Sequence, residues 1–143
     1  MNSYPVSADS YIPQKQPIVL IDNVLFCDDN KTVTDYHIAE DTLFVENGRL
    51  QAVGLMENIA QSCAARTGLR KKMGTDGNPV KIGVIGAVNH FTIHHLPAVG
   101  DHITTTVTEI TDFYPALLVS AEITLNAQTL ATAEMKVFVI EKN

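Results

Sequence analysis

The sequence predicts an α+β domain in which an antiparallel sheet of about six strands wraps around one long helix. Residues 52–70 follow a helical period, whereas the chain after Lys81 alternates between apolar and polar residues as strands do. Two further strand-like segments precede the helix. A helix that is apolar or small almost all the way round has to be buried, so we expect the sheet to enclose it.

Length and composition are typical of a single soluble domain over residues 1–143. The chain is 45% hydrophobic and 18% charged, and a chain of this length buries a stable core without a disulfide or structural metal. Its first residues, MNSYPVSADS, lack the features of a signal peptide, and no apolar run is long enough to span a membrane. We expect a cytoplasmic protein. The net charge of −6 argues against nucleic-acid binding, because neutralising phosphates requires a basic surface.

The elements are expected in a fixed order along the chain. Residues 16–26 (QPIVLIDNVLF) are rich in β-branched side chains and predict the first strand, and residues 32–38 predict a second. Asn47-Gly48 signals a turn before the helix. MGTDGNP ends the helix. About four more strands follow, separated by the turn sequences PAVGD and NAQT and by Tyr114-Pro115.

The helix carries one acidic residue among apolar and small neighbours. Its apolar stripe includes Met56, Ile59 and Cys63. Glu57 lies among them near the start of the helix, where a carboxyl group is placed for proton transfer. Gln61 follows one turn later on the same face and is placed to orient it. The competing interpretation is that Glu57 points at water and is favoured there by the helix dipole.

Four segments together point to one enzyme family: YIPQKQPIVLIDNV, GLMENIAQSCAA, FTIHHLPAVGDHI and LNAQTLATAEMKVFV. In this order and spacing they resemble the opening segment, the central helix, the strand before a Pro-x-x-Gly-Asp turn, and the last hairpin of the hotdog-fold 3-hydroxyacyl-acyl carrier protein dehydratases. The likeness covers nearly the whole chain. It implies the hotdog fold, dimers formed by joining sheets edge to edge, and active sites built between subunits.

The segment before the helix departs from that family. Its enzymes usually carry Gly-His-Phe-Pro there, and the His acts with the helix Glu on the substrate. The matching stretch here is TLFVENGRLQAVG, which places Leu43, Phe44 or Val45 at the His position. In this respect the sequence is similar to a dehydratase-like branch associated with polyketide-like pathways. His37, on the second predicted strand, is the first substitute that we consider for the missing His.

The resemblance implies a dehydration reaction. Removing water from a 3-hydroxyacyl thioester requires taking a proton from C2, protonating the departing hydroxyl group and stabilising charge on the thioester oxygen. Glu57 is the candidate acid and base, oriented by Gln61. The N–H groups of the first helical turn, around Val53 and Gly54, are candidates to bind the thioester oxygen. The acyl group is expected on phosphopantetheine, as part of an acyl carrier protein or coenzyme A, with no further cofactor.

The end of the helix is basic. RTGLRKK places Arg66, Arg70, Lys71 and Lys72 there, where positive charge complements the helix dipole. A second interpretation is that these residues dock an acidic carrier protein.

Two other functions compete with the dehydratase. A non-catalytic hotdog subunit that pairs with an active dehydratase is favoured by the missing His. An acyl thioesterase would use the same helix and a carboxylate to activate water. The sequence leaves open whether the dimer is a homodimer or a heterodimer with another hotdog protein.

Four histidines late in the chain raise the question of a metal site: His90, His94, His95 and His102. Strand alternation turns His95 away from His90 and His94, and no nearby Cys or acidic residue completes a ligand set. We therefore expect no metal. His90 and His94 remain second choices after His37 as substitute catalytic residues.

Overall fold

A computed structural model describes residues 3–74, 80–113 and 115–142. Its elements are β1 (Val6–Ser7), a 3-10 helix (Ala8–Ser10), β2 (Asn23–Cys27), β3 (Lys31–His37), β4 (Val45–Glu46), β5 (Arg49–Leu50), α1 (Ala52–Gly74), β6 (Val80–Ile93), β7 (His102–Phe113), β8 (Ala116–Leu125) and β9 (Gln128–Lys142). The main sheet has the order β1-β2-β3-β7-β8-β9-β6, and β4 pairs with β5 separately. The predicted architecture of one long helix and an antiparallel sheet is confirmed, with the two-residue β1 as a seventh strand.

The helix packs against one face of the sheet, which we call the inner face. Leu55 and Ile59 of α1 are fully buried. They lie in one core cluster with inner-face residues that recur at every second position of the strands, as strand geometry requires: Tyr36, Ile103, Val107, Val119, Ala121, Ile123, Ala131, Ala133, Met135 and Val137. The apolar alternation in the sequence therefore marks the side of each strand that faces the helix.

The first predicted strand is wrong over most of its length, because pairing begins only at Asn23. Residues 16–22, which we call the strap, run across α1 instead. The strap buries Val19, Leu20 and Ile21. Side chains of α1 bind its backbone groups at Ile18 and Leu20. An apolar segment that finds hydrogen bonds on a helix does not need a strand partner.

The N-terminal segment covers the second half of α1. Ala8, Ile12, Ala65 and Leu69 belong to a second core cluster there. The backbones approach closely at Gly68, where a Cβ atom would lie 2.5 Å from the carbonyl oxygen of Tyr11. Glycine at this position permits a contact that any side chain would block.

One face of α1 is polar although it is buried. Asn58, Ser62 and Arg66, spaced four residues apart, are at most 5% exposed, and each hydrogen-bonds to the sheet or to a loop beside it. No helix in the described residues combines the length and apolar character needed to cross a membrane.

Candidate active site at Glu57

Glu57 lies in the second turn of α1, because the helix begins at Ala52 and its first turn holds no acidic residue. The effect of the helix dipole on a charge is confined largely to the first turn. The dipole alone therefore gives little reason for a carboxylate at this position. The side chain is half-buried, so it is in contact with both the protein interior and solvent.

Gln61 holds the Glu57 carboxylate in one orientation. Its Nε2 donates to Glu57 Oε1 at 2.9 Å and to the carbonyl oxygen of Ile18 at 2.7 Å. Its Oε1 accepts the backbone N–H of Leu20 at 2.7 Å. These three bonds fix which end of the amide faces Glu57, because the strap offers an acceptor and a donor in defined places. Within the described residues, Oε2 of Glu57 forms no hydrogen bond and is available to a ligand.

Asn58 ties the same strap to the sheet. Its Nδ2 donates to the carbonyl oxygen of Leu20 at 2.8 Å, and its Oδ1 accepts from the hydroxyl group of Thr105. Ser62 binds the carbonyl oxygen of Asn58 and the hydroxyl group of Thr34. Sequence reasoning gave Asn58 no part in the site. A polar side chain on a buried helix needs a hydrogen-bond partner, and this was the feature of the sequence that indicated a contact for Asn58.

The start of α1 differs from the prediction at Gly54. The N–H of Gly54 donates to the carbonyl oxygen of Gln51 at 2.9 Å, so it is not free to bind a substrate. The side chains of Leu50 and Phe44 occupy the space where a Cβ atom would lie. Glycine is therefore needed for packing rather than for the approach of a ligand. Val53 remains a candidate, because it is 54% exposed and first-turn N–H groups have no intrahelical partner.

A short hairpin occupies the place of the expected catalytic loop. Asn47 and Gly48 both have positive φ, 54° and 75°, as the predicted tight turn between β4 and β5 requires. Gln51 supports the turn, because its Nε2 donates to the carbonyl oxygens of Glu46 and Arg49 at 3.0 Å. Arg49 also donates to the carbonyl oxygen of Leu96 at 2.7 Å. The hairpin is thus rigid, and its tip is exposed.

His37 does not meet Glu57 within one chain. Thr34 and Tyr36 of β3 point to the inner face, where they contact Ser62 and the core. Strand alternation then turns His37 to the outer face, away from α1. It is exposed there and stands opposite His102. The expectation that His37 replaces the missing His beside Glu57 of the same chain is therefore corrected.

Arg66 is a buried structural residue rather than part of a docking surface. It is 5% exposed and donates to the carbonyl oxygens of Asp28 and Asp29 at 2.9 and 2.8 Å. It also pairs with the Glu109 carboxylate. The sequence pattern could not distinguish Arg66 from its basic neighbours, because the loop and strand that bind it are distant in sequence.

The other basic residues remain candidates for docking a carrier at the end of α1. Arg70 is partly exposed and pairs with Asp29, whose side chain is 85% exposed. The side chains of Lys71 and Lys72 lie outside the described residues, although their backbone continues the helix.

Two of the surface cavities are lined by described residues other than Glu57. One, of about 480 Å³, lies between the strap and the end of β3 and includes Asp22, Tyr36 and His37. Burial raises the pKa of Tyr36, which hydrogen-bonds through its hydroxyl group to Thr42. The other, of about 330 Å³, lies on the outer face of the sheet around His90.

The fold and the helix carboxylate define a dehydratase-like hotdog protein. Residues 6–143 match the family model ApeP-like, described as ApeP dehydratase. The chain belongs to the ApeP-like dehydratase family. Comparison with curated protein sequences gave no significant match.

Solved structures share the fold at low sequence identity. The dehydratase heterocomplex ApeI:P from Xenorhabdus doucetiae matches with a TM-score of 0.83 and 17% identity, over 96% of this chain and 92% of that one. The protein smu.793 from Streptococcus mutans UA159, bound to acetyl CoA, matches with a TM-score of 0.71 and 13% identity, over 93% and 98%. A hypothetical thioesterase with coenzyme A from Streptococcus pneumoniae TIGR4 matches with a TM-score of 0.66 and 14% identity, over 84% and 86%.

Proposed function

We propose that the protein is a dehydratase subunit that acts on a 3-hydroxyacyl thioester carried by phosphopantetheine, with Glu57 as the general acid and base. The observation that carries this proposal is the Glu57 carboxylate, half-buried on the central helix and oriented by Gln61 at 2.9 Å. Membership of the ApeP-like dehydratase family supports the same reaction class.

The reaction moves one proton and releases one water molecule. Glu57 takes a proton from C2 and gives this proton to the hydroxyl group on C3, so the C3–O bond breaks and water leaves. The product is a 2-enoyl thioester. Negative charge develops on the thioester oxygen during C2 deprotonation, and the backbone N–H of Val53, a residue in the first turn of α1, is the candidate donor that stabilises it. Gln61 keeps one carboxylate oxygen occupied, so that Oε2 faces the substrate.

The site is completed by a second subunit in this proposal. Gln61 is the one side chain of the described residues that hydrogen-bonds to Glu57, and no His of this chain joins it. Among the described residues, β6 ends the sheet order and pairs with β9 alone, so this strand of 14 residues leaves one edge for a partner. A similar solved structure is the dehydratase heterocomplex ApeI:P, which supports a second hotdog chain as the partner.

The carrier of the acyl group is proposed to be an acyl carrier protein, with coenzyme A as the alternative. Arg70, Lys71 and Lys72 at the end of α1 are the residues proposed to attract an acidic carrier. Similar hotdog structures were solved with coenzyme A or acetyl CoA, which supports a thioester as the ligand class.

A non-catalytic role is the second candidate. The absence of a His beside Glu57 in this chain favours a subunit that shapes the site of an active partner without turning over substrate itself. In that case the Glu57–Gln61 bond would serve to hold the strap rather than to orient a catalytic group.

Hydration of a crotonyl-type thioester, the reverse reaction, tests the proposal. The protein is assayed alone and mixed with a second hotdog dehydratase, beside Glu57→Gln, which keeps the size of the side chain. We expect activity that falls by at least about 100-fold in the variant, because general acid–base catalysis contributes about 10²–10⁴-fold. Activity of the mixture that is unchanged by Glu57→Gln supports the non-catalytic subunit, and release of free thiol indicates a thioesterase.

A further inference from the structure

A second cluster of titratable side chains lies on the outer face of the sheet. His37 ends β3 and His102 begins β7, and the two residues stand directly opposite each other in the antiparallel pair. Their ring centres are 6.5 Å apart, with the planes at 89°. His37 is exposed, and the His102 side chain is 59% exposed. Backbone pairing thus holds two imidazoles close together at the surface.

Asp35 fixes one of these rings. Its Oδ2 lies 2.8 Å from His102 Nε2, while its Oδ1 accepts the backbone N–H and the side-chain amide of Asn23 at 3.1 and 3.2 Å. The Asp35 side chain is only 9% exposed, so the carboxylate has little freedom to turn. Neutral His102 then donates its Nε2 hydrogen to Asp35 and presents the lone pair of Nδ1.

This arrangement is the one that metal-binding histidines usually show. A ligating imidazole almost always donates its other N–H to a carboxylate, a carbonyl group or water, which sets the tautomer and the ring orientation. A surface histidine needs no such buried carboxylate behind it. The neighbouring ring of His37 brings a second imidazole to the same surface, with its centre 6.5 Å from that of His102.

The surroundings favour a cation. Asp22 lies at the base of the pair, because its Oδ2 accepts the backbone N–H of His37 at 2.8 Å. Asp22 and Asp41 also line the cavity of about 480 Å³ that His37 borders. Together with Asp35, these carboxylates favour a negative local potential, and among the described residues that line this cavity the imidazole of His37 is the one basic side chain.

Against the expectation from the sequence that the chain holds no metal, we propose that His37 and His102 chelate a divalent transition-metal ion such as Zn²⁺ or Ni²⁺, with Asp35 orienting His102. Imidazole nitrogen suits these ions at metal–nitrogen distances of about 2.0–2.1 Å, so the two rings, whose centres are 6.5 Å apart, have to move closer together to share one ion. In residues 3–74, 80–113 and 115–142 no group of three or more His, Cys, Asp and Glu side chains is arranged to hold a metal. Water therefore fills the other positions, and the ion clamps the end of β3 to the start of β7.

Calorimetric titration of the whole chain with ZnCl₂ or NiCl₂ in a non-chelating buffer tests the proposal without any assay of activity. We expect one ion per chain, and a loss of affinity of at least about 10-fold in His37→Ala and in His102→Ala. Asp35→Asn keeps the shape but weakens the second-shell contact, so it should lower affinity by about 10–100-fold. His95→Ala, which removes an exposed histidine elsewhere, is the matched control and should bind as the wild type does.

A spectroscopic measurement identifies the site independently of variant stability. Zn²⁺ added to the wild-type protein should shift the imidazole NMR signals of His37 and His102 and leave those of His90, His94 and His95 in place, and a chelator should reverse the shift. The proposal is overturned if the wild type binds no ion at millimolar concentration, if His95→Ala weakens binding as much as His37→Ala, or if the signals of other histidines move instead.

Discussion

At the scale of single residues, the contact between Glu57 and Gln61 follows most directly from the sequence. The four-residue spacing of Glu57 and Gln61 predicts a contact on one helix face, and their side chains meet at 2.9 Å. The spacing gave no indication of the two strap bonds of Gln61, which reach 41 and 43 residues along the chain. A residue that appeared to serve one carboxylate therefore also anchors a loop.

Removing the Gln61 amide should destabilise the fold and should also leave the Glu57 carboxylate without its hydrogen-bond partner. Gln61→Leu preserves bulk but leaves the N–H of Leu20 and the carbonyl oxygen of Ile18 without partners. We expect the free energy of unfolding to fall by about 1–3 kcal/mol, the usual cost of a buried group left unsatisfied. Urea denaturation measures it. Gln128→Ala, at an exposed glutamine, is the control and should change stability by less than about 0.5 kcal/mol; equal effects of the two variants would contradict the anchoring role.

The Cys63 thiol gives the protein a stability that depends on pH. Burial raises the pKa of Cys63 to about 12, from an ordinary value of 9.0, against a smaller lowering by the charge of Arg66. Above pH 9.0 the unfolded chain loses this proton while the folded chain keeps it, so stability falls as pH rises towards about 12.

Denaturation curves at pH 8 and pH 10 check this effect. The Cys63 contribution should decrease by about 1.4 kcal/mol in total between these two pH values, because the unfolded thiol ionises only around and above pH 9.0. Cys63→Ala lacks the thiol, so its stability should depend less steeply on pH than that of the wild type, although it starts lower because of the cavity. A variant whose stability falls with pH as steeply as the wild type would show that Cys63 is not responsible.

At the level of elements, α1 combines an apolar side with a polar side that is equally buried. Its polar residues at positions 58, 62 and 66 bond to β3, β7 and the loops beside them. An amphipathic pattern normally indicates a solvated face. In this helix the polar face is enclosed by the sheet, which is why Arg66 looked like a docking residue in the sequence and is a packing residue in the structure.

Arg66 and Arg70 should respond differently to removal, although they lie one turn apart. Arg66→Met leaves the Glu109 carboxylate and two loop carbonyl groups without their partner, and breaking a buried pair from one side costs about 3–5 kcal/mol. Arg70→Ala breaks a solvent-exposed pair worth about 0–1 kcal/mol. Thermal and urea unfolding of the two variants provide the comparison.

A second substitution distinguishes two causes of the instability of Arg66→Met: the unpaired buried charge of Glu109 and the lost packing of the Arg66 side chain. Glu109→Gln added to Arg66→Met removes the uncompensated charge, so part of the stability should return. If the double variant is no more stable than Arg66→Met, the ion pair with Glu109 is not the main reason for the loss.

At the scale of the whole molecule, two features concern the surroundings of the candidate site. Glu57 is only half-buried, and among the described residues the 14-residue strand β6 has a strand partner on one edge alone. A long unpaired strand edge is a surface that native proteins cover or protect. Both observations are explained if another hotdog chain joins at β6 and closes the space in front of the helix.

We expect the pure chain at micromolar concentration to have twice the mass of one chain in light scattering, because its own β6 can pair with a second copy. Addition of a partner hotdog protein that pairs more strongly should convert this species to a heterodimer. A monomer that persists both alone and with the partner would contradict the use of the β6 edge.

Local pattern in the sequence determined the helix, most strands and the turns. Alternation, helical period and the Asn47-Gly48 signal depend on neighbours in the chain, and these elements were predicted nearly in place. The strap was mistaken for a strand because its apolar composition suits both roles.

The tertiary structure alone decided which polar groups meet. Sequence identified Glu57 and Gln61, but the positions of Arg66, His37 and the Asp35–His102 pair depend on contacts between residues far apart in the chain. Such contacts form only when the sheet closes around the helix. Neighbouring residues in the chain set the direction of a side chain, whereas its partner comes from a distant part of the chain. The fold class could therefore be derived from pattern, whereas the surroundings of each charged group could not.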